Sequence, residues 1–181
     1  MRINLPDCIL VVIDVQEKLL PHMLNTQKLI RNFKILLEGF QIMGVPIMGT
    51  QQYPTGVGIT IPEINEKLDS PAIDKITFSC CDENKFMVNL QHTGKKTVIL
   101  SGIETHICVQ QTAIDLSSEG YQTVIVADCV SSRQSIDHNI AIQRMRSEGS
   151  TITTCESILF ELCRSAQASY FKNLSLLIKS N

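Results

Sequence analysis

Short runs of apolar, largely β-branched residues alternate with amphipathic stretches along this chain, and the alternation restricts its fold more than any other feature. Strands and helices in alternation pack as a parallel sheet with helices on both faces, because each crossover is right-handed. The first, fourth and fifth runs are apolar on both faces, as covered strands must be. The six runs that predict strands are Cys8–Ile13, Val45–Gly49, Ala72–Ile76, Thr97–Leu100, Thr123–Val126 and Thr151–Thr154.

The stretches between the runs have the apolar spacing of amphipathic helices. This spacing predicts one helix around Leu29–Phe40, another around Ile140–Glu148 and a docked final helix within Ala168–Lys179. The sequence therefore predicts a three-layer α/β/α, Rossmann-like fold with a six-stranded parallel sheet in the order 3-2-1-4-5-6. No linker, repeat or low-complexity segment interrupts the pattern, so we expect residues 1–181 to form a single domain.

The composition argues against two classes of partner. The 181 residues carry a formal net charge of −2, which gives no electrostatic reason to expect nucleic acid or an anionic membrane surface. With six phenylalanines, three tyrosines and no tryptophan, a base-stacking surface is not expected either. The apolar run Cys8–Ile13 is too short for a signal peptide or a membrane span. We therefore predict neither a nucleic-acid nor a membrane partner.

The cysteines indicate the compartment. The chain has seven of them, with no repeating spacing and no CxxC pair, so they predict neither a disulfide framework nor a zinc site. Free thiols are typical of a reducing environment. We therefore expect the protein to be cytoplasmic.

One cysteine stands in a chemically favourable place, within the segment Thr97–Leu116. Here a strand runs into Ser101-Gly102, and a helix is expected to follow with Thr105 as its N-cap and Cys108 in its first turn. Unpaired N–H groups and the positive end of the helix dipole would lower the pKa of this thiol. Cys108 is therefore a candidate nucleophile, the alternative being that it is a small apolar residue of the core.

Two charged residues follow other strands on the same side of the sheet. Asp14 comes directly after the first predicted strand, and Lys75 stands at the end of the third. In open α/β sheets ligands bind at the carboxyl ends of the strands where the strand order reverses, here between the first and the fourth. Asp14 could serve as a general base or cap the next turn, and Lys75 could stabilise a thiolate or be solvated.

The segments VVIDVQEKL, KITFS and SGIETHICVQQTAIDL together resemble the isochorismatase-like cysteine hydrolase superfamily. TQQYPTGVGITIPEI and CVSSRQSIDHNIAIQRMRSEG make the chain most similar to the isochorismatase domain-containing proteins. The resemblance implies a catalytic triad of Asp14, Lys75 and Cys108 that hydrolyses a small-molecule substrate through a thioester. It also implies a cis peptide between Ile103 and Glu104, an oxyanion hole formed by the backbone N–H groups of Glu104 and Cys108, and a homo-oligomer.

The chain departs from two branches of that superfamily. Metal-dependent nicotinamidases have an Asp-x-His element after the second strand, where this chain has Gln51, Gln52 and Tyr53. Amides and a phenol are poor ligands for zinc or iron, so we expect neither a catalytic metal nor another cofactor. True isochorismatases, which cleave a vinyl ether, generally lack the cysteine, so the presence of Cys108 argues against that reaction as well.

Five residues are candidates for the substrate pocket. Tyr53 and Phe78 are expected as pocket walls, and Arg133 follows the fifth strand, where it could hold a substrate carboxylate, cross a subunit interface or simply belong to a polar turn. Gln16 and Thr105 complete the set of residues predicted for the pocket.

The sequence thus favours a metal-independent cysteine hydrolase that acts on a small amide or related acyl compound. Two alternatives remain open. The first is a catalytically silent oligomeric binding or scaffold protein that keeps the same triad. The second is a redox enzyme with a peroxide-reactive Cys108, for which no resolving cysteine is evident in the sequence.

Overall fold

Six parallel strands form the centre of the structure, a computed structural model that describes residues 2–180. They belong to one sheet with the order β3-β2-β1-β4-β5-β6, so the predicted fold class and strand order are confirmed. The strands are β1 (Cys8–Ile13), β2 (Ile47–Gln52), β3 (Ile73–Lys75), β4 (Thr97–Ile103), β5 (Gln122–Ser131) and β6 (Thr151–Thr153).

Helices cover both faces of the sheet. The residues of β1 alternate between the two apolar cores: Leu10 and Val12 face one core, while Ile9 and Val11 face the other. Helices α1, α7 and α8 pack on the first face, and α4, α5 and α6 on the second. The helices are α1 (Thr26–Ile42), α2 (Pro54–Val57), α3 (Pro62–Asn65), α4 (Asn84–His92), α5 (Gln110–Ser118), α6 (Ser135–Ser147), α7 (Cys155–Cys163) and α8 (Phe171–Lys179).

Three strands extend further towards their carboxyl ends than their apolar runs predict. The second strand ends at Gln52 instead of Gly49, the fourth at Ile103 instead of Leu100, and the fifth at Ser131 instead of Val126. Polar residues continue these strands because hydrogen bonds satisfy them: the backbone N–H of Gln52, for example, donates to the Gln16 side chain at 2.6 Å. The sheet therefore carries polar side chains on the edge where its strands end.

A glycine sets the distance between the two central strands at that edge. Gly102 pairs with Ile13 across β1 and β4, and its φ of +120° is a conformation that favours glycine. A Cβ atom at Gly102 would overlap the backbone carbonyl oxygen of Ile13. The close approach brings the end of β4 against Asp14, the residue that follows Ile13.

None of the helices within residues 2–180 combines the length and the apolar character needed to cross a membrane.

Candidate active site

A buried ion pair lies where β1 and β3 end. The Lys75 Nζ atom is 2.6 Å from Asp14 Oδ2, and both side chains are fully buried at 0% exposure. The other carboxylate oxygen of Asp14 accepts a hydrogen bond from the Thr50 hydroxyl at 2.8 Å. Asp14 has a φ of +53°, in the left-handed region where aspartate is one of the tolerated residues, and this conformation ends the strand. The pair therefore has a fixed position at the edge of the sheet.

The Lys75 ammonium is surrounded by oxygen atoms. Besides Asp14, its Nζ lies 2.7 Å from Gln52 Oε1 and within hydrogen-bonding distance of the carbonyl oxygens of Thr77 and Phe78. Burial by itself would lower the pKa of Lys75, but the charge and the hydrogen bond of the Asp14 carboxylate outweigh it and raise that pKa. Lys75 therefore stays charged at neutral pH.

Cys108 completes a cluster of three residues with this pair. Its side chain is almost completely buried, at 6% exposure, and its thiol lies near enough to the Asp14 carboxylate for that carboxylate to raise the thiol pKa. Asp14, Lys75 and Cys108, which lie far apart in the sequence, are thus brought together as the strand order predicts.

The predicted helix start before Cys108 is wrong. A π-helical turn, Thr105–Val109, precedes α5, and Glu104 rather than Thr105 occupies the N-cap position. The Thr105 hydroxyl makes its hydrogen bond with His138 Nδ1 at 3.0 Å instead of capping the turn. Cys108 therefore lies inside a π-helical turn. Such turns are rare in proteins overall, but those that occur are often found at functional sites.

The expected lowering of the Cys108 pKa is also wrong. Burial raises the pKa of this thiol, and the charge of Asp14 raises it further, while Lys75 acts in the opposite direction. The charge of Lys75 lowers the thiol pKa only in part, because the same ammonium is paired with Asp14. The thiol is therefore protonated in the resting protein, with a carboxylate placed to accept its proton.

The strand β4 runs into this turn through a cis peptide bond between Ile103 and Glu104. The Glu104 carbonyl oxygen accepts hydrogen bonds from the backbone N–H groups of Ile107 at 3.1 Å and Val109 at 3.3 Å, which close the turn around Cys108. The oxyanion-hole role of the N–H groups of Glu104 and Cys108 stays a prediction.

Three of the predicted pocket residues make internal hydrogen bonds. Gln16 is fully buried and its amide binds the backbone of Gln52 and Gly58, at 2.8 and 2.6 Å, so it joins β1 to the neighbouring loop. Thr105 is bonded to His138, and the Arg133 Nε atom donates to the Glu104 carboxylate at 3.1 Å. Gln16, Thr105 and Arg133 are therefore each engaged in hydrogen bonds within the protein around the site.

The other two pocket candidates are exposed. Tyr53 is 54% and Phe78 is 56% exposed. Tyr53 lines a cleft of about 370 Å³ beside Lys75, together with Pro54, Ile76 and Thr77. Two carboxylates, Asp74 and Glu83, also line this cleft.

Some residues of the site carried no signal that identified them in advance. Thr50 bonds Asp14, and Gln52 bonds Lys75. In the sequence, Gln51 and Gln52 indicated only that the metal-binding Asp-x-His element is missing, and not that Gln52 binds Lys75. Gln51 instead bonds Asp74 and Thr60 through its side chain. Within residues 2–180 no group of three or more His, Cys, Asp or Glu residues is arranged to hold a metal ion.

The raised pKa of Cys108 leads to a prediction about its alkylation. Because the thiolate is the reactive form, we expect the rate of Cys108 alkylation by iodoacetamide to rise about tenfold per pH unit. The rise should continue beyond a pH of about 8.5, where the rate of an ordinary free thiol levels off. Peptide mass spectrometry would separate Cys108 from the other cysteines.

The matched variant is Asp14→Asn, which removes the charge and the acceptor that raise the pKa. Its Cys108 rate should level off at a lower pH than that of the wild type. A wild-type rate that levels off at or below a pH of about 8.5 would contradict the assigned direction.

Structures and sequences of other proteins define the class to which this fold and site belong. The structure of MAR1 ribonuclease from Caenorhabditis elegans superposes with a TM-score of 0.93 and 34% identity, covering 99% of this chain and 93% of that one. The YcaC gene product from Escherichia coli, described as an octameric hydrolase of unknown specificity, superposes with a TM-score of 0.91 and 24% identity, covering 99% and 96%.

The sequence comparisons identify the family. The secreted isochorismatase effector Isc1 of Phytophthora sojae is 36% identical over 178 residues, which cover 96% of this chain and 85% of that protein. The family model of the isochorismatase domain matches residues 8–157. The chain belongs to the isochorismatase family and has its hydrolase fold, as the sequence motifs predicted.

Proposed function

We propose that this protein is a metal-independent cysteine hydrolase that cleaves a small amide or related acyl compound. The observation that carries the proposal is that one buried carboxylate, Asp14, is paired with the Lys75 ammonium and lies beside the buried Cys108 thiol, whose pKa it raises. Nucleophilic catalysis needs a nucleophile, a base within hydrogen-bonding reach and a group that orients the base. Cys108, Asp14 and Lys75 supply these three functions.

The reaction would begin at the thiol. The sulfur of Cys108 attacks the carbonyl carbon of the substrate while Asp14 accepts the thiol proton. The backbone N–H groups of Glu104 and Cys108 stabilise the negative oxygen that forms. When the C–N bond breaks, Asp14 returns the proton to the nitrogen, so ammonia or an amine leaves and a thioester remains on Cys108.

Water would complete the cycle. Asp14 takes a proton from a water molecule, the hydroxide adds to the thioester carbon, and the C–S bond breaks. The departing sulfur recovers the proton from Asp14 and the carboxylic acid is released, so that one amide and one water yield one acid and one amine. Lys75 stays protonated throughout and keeps the Asp14 carboxylate in place, which is consistent with its raised pKa.

The protonated thiol argues against the redox alternative. Cysteines that react quickly with peroxide combine a low pKa with solvent exposure. Burial and Asp14 raise the pKa of Cys108, which is 6% exposed. We therefore favour hydrolysis, in which the base acts only when the substrate is bound.

The C. elegans relative suggests RNA as a second substrate to test, since that protein is described as a ribonuclease. The charge of this chain, −2, does not favour a polyanion. The carboxylates of Asp74 and Glu83 in the cleft beside Lys75 would repel phosphates as well. An uncharged small amide therefore suits this site better.

Assembly and location are part of the proposal. We propose a homo-oligomer in the cytoplasm, supported by the octameric E. coli neighbour and by the apolar side chains of Ile136 and Ile140, which are 65% and 54% exposed on α6. The seven cysteines, unpaired among the described residues, are consistent with a reducing compartment.

The test is a screen of small primary amides, secondary amides and carbamoyl compounds with covalent trapping. For a substrate we expect rapid acid quenching to capture a mass increase equal to the acyl group, located on Cys108 by peptide mass spectrometry. The silent scaffold alternative predicts neither product nor adduct. An RNA oligonucleotide belongs in the same screen, and its cleavage without any amide turnover would contradict the proposal.

A further inference from the structure

Glu104, at the N-cap of the turn that carries Cys108, and the first two residues of that turn are bonded to one distant segment. Glu104, Thr105 and His106 each reach residues of Ser132–His138, which runs from the end of β5 into α6 and is called here the latch segment. The two pieces of chain are separated by more than twenty residues in sequence. These side-chain hydrogen bonds attach the turn that carries the nucleophile to the latch segment.

The strongest of these bonds belong to Glu104. Its side chain is 10% exposed, and its Oε2 accepts the backbone N–H of Arg133 at 3.0 Å. The Arg133 Nε lies 3.1 Å from Oε1 and 3.2 Å from Oε2, so that both carboxylate oxygens are occupied. Charge-assisted hydrogen bonds of this kind are about twice as strong as neutral ones and fix direction as well as distance.

The next two residues add neutral contacts. Thr105 Oγ1 is 3.0 Å from His138 Nδ1, and burial lowers the pKa of His138, so this imidazole is uncharged at neutral pH. His106 Nδ1 is 2.9 Å from the Ser132 hydroxyl. The backbone of the turn is therefore held on the side away from Asp14 and Lys75.

The turn needs such support because of its local structure. π-helical turns are rare and occur mostly as single turns, and this one spans only the five residues Thr105–Val109, so few hydrogen bonds of its own hold it. Cys108 sits within it, and a displacement of about 1 Å at a reacting atom can cost about a hundredfold in rate.

We propose that Glu104 is a positioning residue, which through Arg133 and the latch segment holds the nucleophile turn so that the Cys108 thiol stays on the Asp14 carboxylate. This inference rests on the proposed function. It also gives Arg133 a role within the protein, because its Nε donates to the Glu104 carboxylate.

The test uses the variants Glu104→Ala and Glu104→Gln, with iodoacetamide alkylation of Cys108 as a first measurement. If the turn loosens, the thiol leaves Asp14 and its pKa falls, so that alkylation at pH 8 becomes faster while amide hydrolysis becomes slower. A fall of one pKa unit corresponds to about a tenfold increase in thiolate below the pKa. Arg133→Ala, which keeps the backbone N–H donor to Glu104, should give a smaller change, and Arg133→Lys should restore part of it.

The matched control is Arg146→Ala, an exposed arginine on α6, the helix that follows Arg133, and it should alter neither measurement. Labelling of the fully buried Cys80 reports whether a variant has unfolded, since it should stay slow in each folded variant. If Glu104→Ala fails to fold, Glu104→Gln, which retains an acceptor for the Arg133 N–H, decides the question.

The two proposals fail in different ways. An unchanged pH profile of Cys108 alkylation in both folded Glu104→Gln and Arg133→Ala would overturn the positioning role. A changed profile supports that role even if the wild type hydrolyses none of the amides, a result that would instead count against the proposed function.

Discussion

Replacing Cys108 by alanine is expected to abolish amide hydrolysis, with a fall in kcat of about 10⁴-fold or more, because the nucleophile and its covalent intermediate are both lost. The variant should also lose the acyl adduct in the trapping experiment. Initial rates with the best substrate of the screen, measured at equal protein concentration, give the size of the effect. Cys108 packs among apolar residues as well, so loss of its sulfur should cost only about 1 kcal/mol of unfolding free energy and leave the fold intact.

The control for this variant is Cys81→Ala. Cys81 is another thiol whose pKa is raised by burial, to about 12, but its charged neighbours are Asp115 and Asp82 rather than Asp14. Its removal should leave hydrolysis within about twofold of the wild type, a difference of less than about 0.5 kcal/mol in the activation barrier. Full activity in Cys108→Ala would eliminate the thioester mechanism.

The second large effect is on stability. Lys75→Met should lower the unfolding free energy by about 3–5 kcal/mol, because it leaves the Asp14 carboxylate buried without its partner. Both side chains of this pair are 0% exposed. Urea denaturation of the wild type and the variant at neutral pH measures the difference in unfolding free energy, provided that each protein gives a complete unfolding transition.

A surface pair provides the matched comparison. Lys34 lies 4.0 Å from Glu63, with side chains 53% and 43% exposed, so Lys34→Met should cost less than about 1 kcal/mol. The double variant Asp14→Asn with Lys75→Met should recover part of the loss, since it removes the isolated charge. If Lys75→Met is no more destabilising than Lys34→Met, the buried pair does not have the importance assigned to it.

The difference in unfolding free energy between the wild type and Lys75→Met should depend on pH in a definite direction. The pKa of Lys75 is raised in the folded protein, so its contribution to stability is fully present below the ordinary lysine pKa of about 10.4. It is lost as the pH rises through the higher folded value. The gap between wild type and Lys75→Met should therefore be constant between neutral pH and pH 9 and narrow at more alkaline pH.

The sequence predicted the fold well because apolar periodicity is a property of adjacent residues. The bounds of β1 match the predicted run Cys8–Ile13, and the observed strand order is the predicted one, a common order among doubly wound parallel sheets. The carboxyl ends of β2, β4 and β5 were missed, because polar residues or glycine interrupt their apolar runs, and in β5 the pairing with β4 resumes only at Val130 and Ser131 after a shift in register.

The site was only partly predictable, for a different reason. Asp14, Lys75 and Cys108 stand at strand ends, so topology brings them together. The pKa of Cys108 depends on how deeply the thiol is buried, and the π-helical turn depends on bonds to Ser132–His138. These quantities arise from contacts between distant residues, and no local pattern around Thr105 reports them.

The close approach at Gly102 indicates which positions tolerate substitution when the specificity of the protein is engineered. Backbone against backbone, rather than any side chain, sets the spacing of Ile13 and Gly102, so the two strand ends that lead to Asp14 and to the Cys108 turn keep their spacing when exposed side chains change. The cleft walls at Tyr53 and Ile76 are exposed and bear no part of that spacing. A library for new substrates should therefore randomise the walls and hold position 102 as glycine.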